Sequence, residues 1–428
     1  MPPTRLPLPW REPALLALQL QRQWGSSGLI WLDGDGSHLG RWATLAADPL
    51  EQRCCRGERN PFEQLRQLGP GHWCGWLSYE AAAWVEPGNP WHQDSIAQLW
   101  MARHDPLFRF DLVERALWLE GCDPKRLAEA QDWFHGHADQ EPQPPAPGVS
   151  IPRAAWHWHS SRAAFAAGVE QIRALIAAGD IFQANLTACC STELHQTPDP
   201  LLLFQRLRER CPAPFAGLVV ADAGEAVIST SPERFLQVSP GGLVETRPIK
   251  GTRPRSADPA RDADQAAELV CSEKDRAENV MIVDLLRNDL GRVCESGSIS
   301  VPQLVGLESY ARVHHLTSVV TGQLKPQLTW VDLLEACWPG GSITGAPKLR
   351  ACQRISELEP VARGPYCGSL LRQDWDGSFD SSILIRTVLQ EGSRLRAHAG
   401  CGIVADSDPQ AEARELGWKL NPLLEALE

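Results

Sequence analysis

With 428 residues, 43% of them hydrophobic and 22% charged, the chain has the makeup of a globular protein with one large domain or two closely joined ones. The formal net charge of −12 excludes a general nucleic-acid binder, which would need basic patches, and any anionic ligand requires a local cationic pocket. There is no apolar run of about eighteen residues, and the opening MPPTRLPLPWREPALL is broken by prolines and charges, so neither a membrane span nor a secretory signal is expected and the chain reads as cytoplasmic.

Thirteen cysteines are scattered without a CxxC pair, which points to reduced thiols acting as small hydrophobes rather than to a zinc site or a disulfide framework. The cations are strongly biased. Six lysines, at positions 125, 250, 274, 325, 348 and 419, stand among 41 basic residues, and four of them fall inside the motifs below. A lysine in an arginine-rich chain can mark a need for a compact, deprotonatable amine, with a salt bridge as the ordinary alternative.

In chain order, GLIWLDG, GHWCGWLSYE and ALWLEG read as short strands punctuated by glycine turns, and the tryptophans of this region as core. Residues 1–138 form an N-terminal region, a proline-rich linker covers 139–153, and 154–428 form the second region. There Ser160 or Ser161 caps a helix carrying Phe165, Val169, Ile172 and Ile176 at helical spacing, closed by Gly179. Strands follow at FAGLVVAD, EAVIST and RFLQV, then one long amphipathic helix from Asp262 through Leu286. TWVDLLEAC, APKLRACQRISELE and PQAEARELGWKLNPLLEAL are expected to be helices. Strands and helices without regular alternation predict an α+β fold.

Asp275 and Glu278 lie three apart on the long helix and therefore share a face, and Glu412 and Glu415 repeat the spacing. Four carboxylates meeting around one cation would favour Mg²⁺, a hard ion that accepts oxygen ligands only; solvated helix faces are the alternative. PGGSITGAPK is a glycine-rich turn leading into a helix with Pro347 near its first turn, which leaves backbone N–H groups free for an anion. It is not a nucleotide phosphate loop, because Ala346 and Pro347 stand where Lys and Ser or Thr are required. In HAGCGIVADS, Gly400 and Gly402 allow a ligand to approach the backbone, or simply make a tight turn. Strand alternation turns His314 and His315 to opposite faces, so at most one lines a given cleft. Cys74 and Cys367 lack the first glycine of a G-x-C-x-G elbow, so the chain has no glutaminase nucleophile of that type.

Taken together, DIFQANL, SPERFL, PIKGTRPR, KDRAENVMIVDLLRNDLGRV, VHHLTS, PGGSITGAPK, CGSL, IRT and AGCGIVADS followed by E-x-x-E-x-x-x-K resemble the chorismate-utilising enzymes, over residues 160–428 and, more weakly, around WLSYE and AADP. The resemblance implies the family's fold of large antiparallel sheets flanked by helices. It further implies that Glu278 and Glu415 ligate Mg²⁺ with Asp275 and Glu412 nearby, the metal holding the ring carboxylate of chorismate. By the same resemblance, Arg386 and Tyr366 grip the enolpyruvyl carboxylate, Gly402 offers a backbone N–H, and Thr344, His315 and Lys419 line the pocket.

Two positions sort the branches. Gln183 stands where the water-activating lysine of isochorismate and salicylate synthases stands, which implies the amine-transferring branch. Lys250 stands where anthranilate synthases carry alanine and resembles the nucleophile of component I aminodeoxychorismate synthases, with Glu233 as general acid/base; anthranilate synthase component I is the alternative. The resemblance implies a separate glutamine amidotransferase subunit as partner. A lysine of ordinary basicity is neutral in only about one molecule in several thousand at pH 7, so the nucleophilic role calls for burial, the metal, neighbouring cations such as Arg247 or Arg253, or proton removal by Glu233. Asp33 stands where component I often has a serine that holds a structural tryptophan, so tryptophan binding is not carried over.

Overall fold

The apolar run FAGLVV, continuous rather than alternating, is explained by a strand covered on both faces. In the computed structural model, which describes residues 2–137, 149–310 and 312–428, Phe215–Val220 lies mid-sheet. Leu218 and Val220 turn into one hydrophobic core and Val219 into the other. Ile228 and Val227 divide in the same way, as do Val388 and Leu389.

Two antiparallel sheets with helices on their outer faces make the α+β fold expected from the sequence. A 12-stranded sheet runs Thr4–Leu8, Ala116–Gly121, Leu107–Asp111, Trp42–Ala46, Ile30–Asp33, Phe215–Val220, Glu225–Ser231, Thr387–Glu391, Arg394–Ile403, Gln183–Glu193 and Gly345–Ala346, with His157–Trp158 beside Gln183–Glu193. A 10-stranded sheet runs Ile249–Pro254, Val313–Gln323, Leu243–Thr246, Arg234–Val238, Phe379–Ile383, Ser369–Gln373, His72–Leu77, Leu99–His104 and Glu51–Cys55, with Ser300–Ser309 beside Val313–Gln323. The chain before residue 138 therefore extends both sheets. The expected linker lies mostly outside the described residues. Among those described, no helix is long and apolar enough to cross a membrane.

Ser161 caps the Arg162–Ala177 helix by accepting from Ala164 N, and the three later helices form at Trp330–Cys337, Lys348–Leu358 and Pro409–Leu427. The long helix expected over 262–286 is instead two, Pro259–Cys271 and Glu273–Val293. Ser272 breaks it by adopting extended backbone and accepting a hydrogen bond from Asp275 N, which starts a second helix at the acidic motif. Pro347 caps the Lys348–Leu358 helix, next to its first turn as expected. Trp31, Trp73, Trp76, Trp100 and Trp338 are fully buried, whereas Trp42 and Trp418 are exposed.

The WLSYE segment packs against the turn that follows Leu358. Glu80 is buried, accepts from Arg363 N at 2.8 Å through Oε1, and has no partner at Oε2. Burial, with the charge of Asp94, pushes its carboxyl up to about 8. A carboxyl whose pKa is raised on folding supports stability below its unfolded value near 4.5, and that support is lost as pH rises towards 8. Glu80→Gln, which mimics the protonated acid, is expected to stabilise the protein by roughly 1 to 3 kcal/mol at pH 8 and by much less at pH 5. Thermal melts at the two pH values test this, and an equal effect at both would mean that Glu80 is ionised in the fold.

Candidate functional site

The motifs converge at one end of the two sheets. Gln183 opens the longest strand of the first sheet, paired on one side with Ala346 of the glycine-rich loop, while Asn185 is paired on the other with Gly402. A Cβ at Gly402 would collide with Gln183 Nε2 and lie 3.5 Å from Lys250 Nζ, so only glycine lets these side chains meet over the strand. Gln183 Oε1 is buried without a hydrogen-bond partner.

Lys250 arrives from the edge strand of the second sheet, where the register with Val313–Gln323 shifts between Ile249 and Thr252. This bulge contains Gly251 at φ +83°, whose absent Cβ makes room for Asp275 of the Glu273–Val293 helix. A bulge of this kind re-aims the adjacent side chain. Lys250 Nζ donates to Ser342 O at 3.2 Å, and its charge acts on Glu233, Glu278 and Glu415. Glu233 is buried beside it. Burial pushes that carboxyl up to about 7, against the opposing pull of the Ser342 hydroxyl and of Lys250. The expectation that Arg247 or Arg253 acts on Lys250 does not fit this geometry: Arg247 is held by Glu308 at 2.6 Å, and Arg253 by Glu268 at 2.9 Å and Asp275 at 3.4 Å. Carboxylates neutralise both.

Two helix starts supply the acidic groups. Glu412 accepts from Ser407 Oγ at 2.7 Å and Lys274 Nζ at 3.4 Å, while Glu415 pairs with Lys419 at 2.8 Å. Burial raises the Glu278 carboxyl, helped by Asp275 and Glu412 and opposed by Lys250 and Lys274. For Glu415 the burial effect is outweighed by Lys419, Lys274 and Lys250, and its pKa falls. Cys401, Glu412 and Glu415 offer atoms within 4.8 Å of one another. The thiol is not a natural third ligand, since burial pushes it up to about 12 and it donates to Glu412 O. What remains is a hard oxygen set. Among the described residues the Glu278 carboxylate has no hydrogen-bonded partner, although its neighbours do, so these residues fit a divalent cation such as Mg²⁺.

His315 and His314 point to opposite faces, as alternation predicts. His314 meets Asp262 at 3.1 Å and Ser309, whereas His315 meets Thr252 Oγ1 at 2.9 Å, and burial together with the charge of Arg386 pushes its ring down to about 4. Arg386 has a left-handed φ of 51°, and its carbonyl is fixed by Thr230 N and Oγ1 at 3.0 and 3.2 Å. Its guanidinium has no ion-pair or hydrogen-bond partner among the described residues, and burial lowers its pKa. A partly buried, unpaired guanidinium suits an anionic ligand. Lys419 also donates to Gly400 O at 2.9 Å.

Two expected contacts lie deeper. Thr344 is fully buried, with its hydroxyl turned back to Gly340 O at 2.8 Å, and Tyr366 is buried with its ring stacked on His398 at 4.9 Å. Lys274, one of the motif lysines, enters the site through Glu412, and residues not singled out in the sequence also bear on it: Ser342, and behind it the buried pair Arg363 and Glu359. Asp33 is ion-paired with Arg208 at 2.6 Å, the guanidinium lying 4.8 Å over Trp31.

A family model described as chorismate binding enzyme matches residues 18–425, so it covers the whole constellation. The chain belongs to this family. Over 274 residues it is 47% identical to aminodeoxychorismate synthase component 1 of Klebsiella aerogenes, covering 64% of this chain and 60% of that protein, less than two-thirds of the relative. An anthranilate synthase component I-like protein of Synechocystis sp. is 36% identical over 416 residues, covering 92% of this chain and 84% of the relative. The crystal structure of anthranilate synthase component I from Streptococcus pneumoniae superposes with a TM-score of 0.79 at 28% identity, over 90% of this chain and 92% of that one. The menaquinone-specific isochorismate synthase of Escherichia coli, at 16% identity and a TM-score of 0.77, shares the fold.

Proposed function

We propose that this protein is an aminodeoxychorismate synthase component I that converts chorismate and ammonia to 4-amino-4-deoxychorismate, for 4-aminobenzoate and folate synthesis in the cytoplasm. The carrying observation is Lys250, whose charge acts on Glu233, Glu278 and Glu415 and whose Nζ lies close to Gly402. The neutral Lys250 amine attacks C2 of chorismate while the C4 hydroxyl departs with a proton from Glu233, and the two conjugated ring double bonds move from C1=C2 and C5=C6 to C1=C6 and C4=C5. Ammonia then bonds to C4, both double bonds return to their original places, and the Lys250 amine leaves, so that the net change is hydroxyl for amine with release of water. Arg386 takes the enolpyruvyl carboxylate, with His315, Gly402 and Lys419 around the ligand and Thr344 and Tyr366 packed behind them. Glu278 and Glu415 would hold Mg²⁺, with Asp275 and Glu412 behind them; the ion would bind the ring carboxylate and withdraw charge from the reacting system.

Ammonia comes from a separate glutamine amidotransferase subunit. Cys74 and Cys367 support this reading, since both are buried and burial pushes each thiol up to about 12, unlike a glutaminase nucleophile. The deciding experiment is product identification by the isolated chain with chorismate and Mg²⁺. Ammonium salt at alkaline pH is expected to yield 4-amino-4-deoxychorismate, and glutamine none. Anthranilate as product would make this an anthranilate synthase component I, and efficient use of glutamine by pure protein would remove the partner.

A further inference from the structure

The fully buried guanidinium of Arg363 does not reach the carboxylate cluster, yet it is wired to the site. Nε and Nη2 form a fork on Glu359 at 2.9 and 2.7 Å, Nη1 donates to Ile343 O at 2.8 Å, and Nη2 also donates to Asn185 O at 2.7 Å. Glu359 Oε1 additionally accepts from Thr187 N at 2.7 Å. The pair therefore ties the glycine-rich loop to the Gln183–Glu193 strand, whose Asn185 and Thr187 stand opposite Gly402 and Gly400. From below, Arg363 rests 4.6 Å over the Tyr79 ring and its backbone N–H is taken by Glu80.

Three successive carbonyls of that loop are each held by a different donor. Ser342 O accepts from Lys250 Nζ at 3.2 Å, Ile343 O from Arg363 at 2.8 Å, and Thr344 O from Asn185 N at 2.6 Å. Thr344 has ψ −88°, outside the regular helical and extended regions, so the turn depends on these bonds for its shape. A buried ion pair is weak evidence of stabilisation, because apolar replacements often do as well. One that commits two further N–H groups to backbone carbonyls of separate segments instead fixes geometry.

We infer that Arg363, clamped by Glu359, is a positioning residue for Lys250: by fixing the Ile343 carbonyl it holds the neighbouring Ser342 carbonyl where it accepts an N–H of the Lys250 amine. That acceptor sets the rotation of the amino group, and hence the direction in which its lone pair points once a proton is removed. The inference rests on the reading of Lys250 as the nucleophile, and goes beyond it by naming what aims the amine.

The test compares full-length Arg363→Lys and Glu359→Gln proteins with the parent. Arg363→Lys keeps the charge and loses the fork. Glu359→Gln keeps the shape and the Thr187 contact, and serves if the first variant does not fold by circular dichroism. Trace acetic anhydride labelling, read by peptide mass spectrometry, gives the reactivity of Lys250 relative to Lys125 and Lys325. With its acceptor loosened, Lys250 is expected to label about five-fold faster relative to these two, and ammonia-dependent kcat to fall roughly 10- to 100-fold with KM for chorismate little changed. An unchanged Lys250 labelling ratio in a folded variant overturns the positioning role, even if Lys250 is the nucleophile, because a purely structural loss would leave that ratio alone. A raised ratio in a protein that forms no chorismate adduct on Lys250 upholds the positioning and overturns the nucleophile instead.

Discussion

Lys250→Arg is expected to lose ammonia-dependent turnover by roughly 10³-fold or more, as far as Lys250→Ala does, although it conserves the charge. The guanidinium stays protonated at any working pH and offers no lone pair, so a role in binding would tolerate arginine and a role in bond formation would not. Burial pushes Glu233 up to about 7, where a carboxyl can hold a proton for the departing hydroxyl and can also take one from an amine. With chorismate and Mg²⁺ but no ammonia, the second displacement has no nucleophile, and a substrate-derived adduct should collect on Lys250. Peptide mapping by mass spectrometry after acid quench reads it directly. Direct attack of ammonia on C4 makes the opposite forecast, no adduct and substantial turnover by Lys250→Ala, and observing both would remove the covalent role.

The strands nearest the site could be read from local pattern because their residues have a local reason to be there. FAGLVV is apolar at every position and EAVIST is buried throughout since both faces of the first sheet are covered, and Gly251 of PIKGT and Gly400 and Gly402 of AGCGI stand where side chains would collide with Asp275, Thr187 and Gln183 respectively. The break at residue 272 was legible in principle. S-x-x-D at 272–275 is a helix-start pattern, but the apolar period continues across it and masks the stop. Sheet order was not legible, because hydrogen bonding between antiparallel strands carries no partner label, and so the joining of residues 4–121 to both sheets appears only in three dimensions. Glu359 and Arg363 show why the rest of the site stayed hidden. Four residues apart, they read as an ordinary solvated pair, and only burial turns them into a clamp.

Glu278→Gln and Glu415→Gln are each expected to abolish Mg²⁺-dependent chorismate binding and to lower turnover by roughly two to three orders of magnitude while leaving the fold intact. The two carboxylates start from different positions. Glu278 is raised by burial and lacks a hydrogen-bonded partner among the described residues, so its charge at neutral pH opposes folding, and the neutral amide should leave the melting temperature unchanged or slightly higher. Glu415 is lowered through Lys419, but that pair is well exposed, with side chains 42% and 44% accessible, and exposed ion pairs contribute little to stability. Neither substitution therefore has a folding reason to silence the protein. Loss of a metal ligand would silence it without unfolding it, because an amide oxygen carries no net charge and holds a hard divalent cation far more weakly than a carboxylate. Calorimetric titration of Mg²⁺ with chorismate present separates this from a mere electrostatic role in substrate binding: loss of metal affinity in both variants is the expected result, and near-normal Mg²⁺ binding and turnover in both would sink the metal assignment.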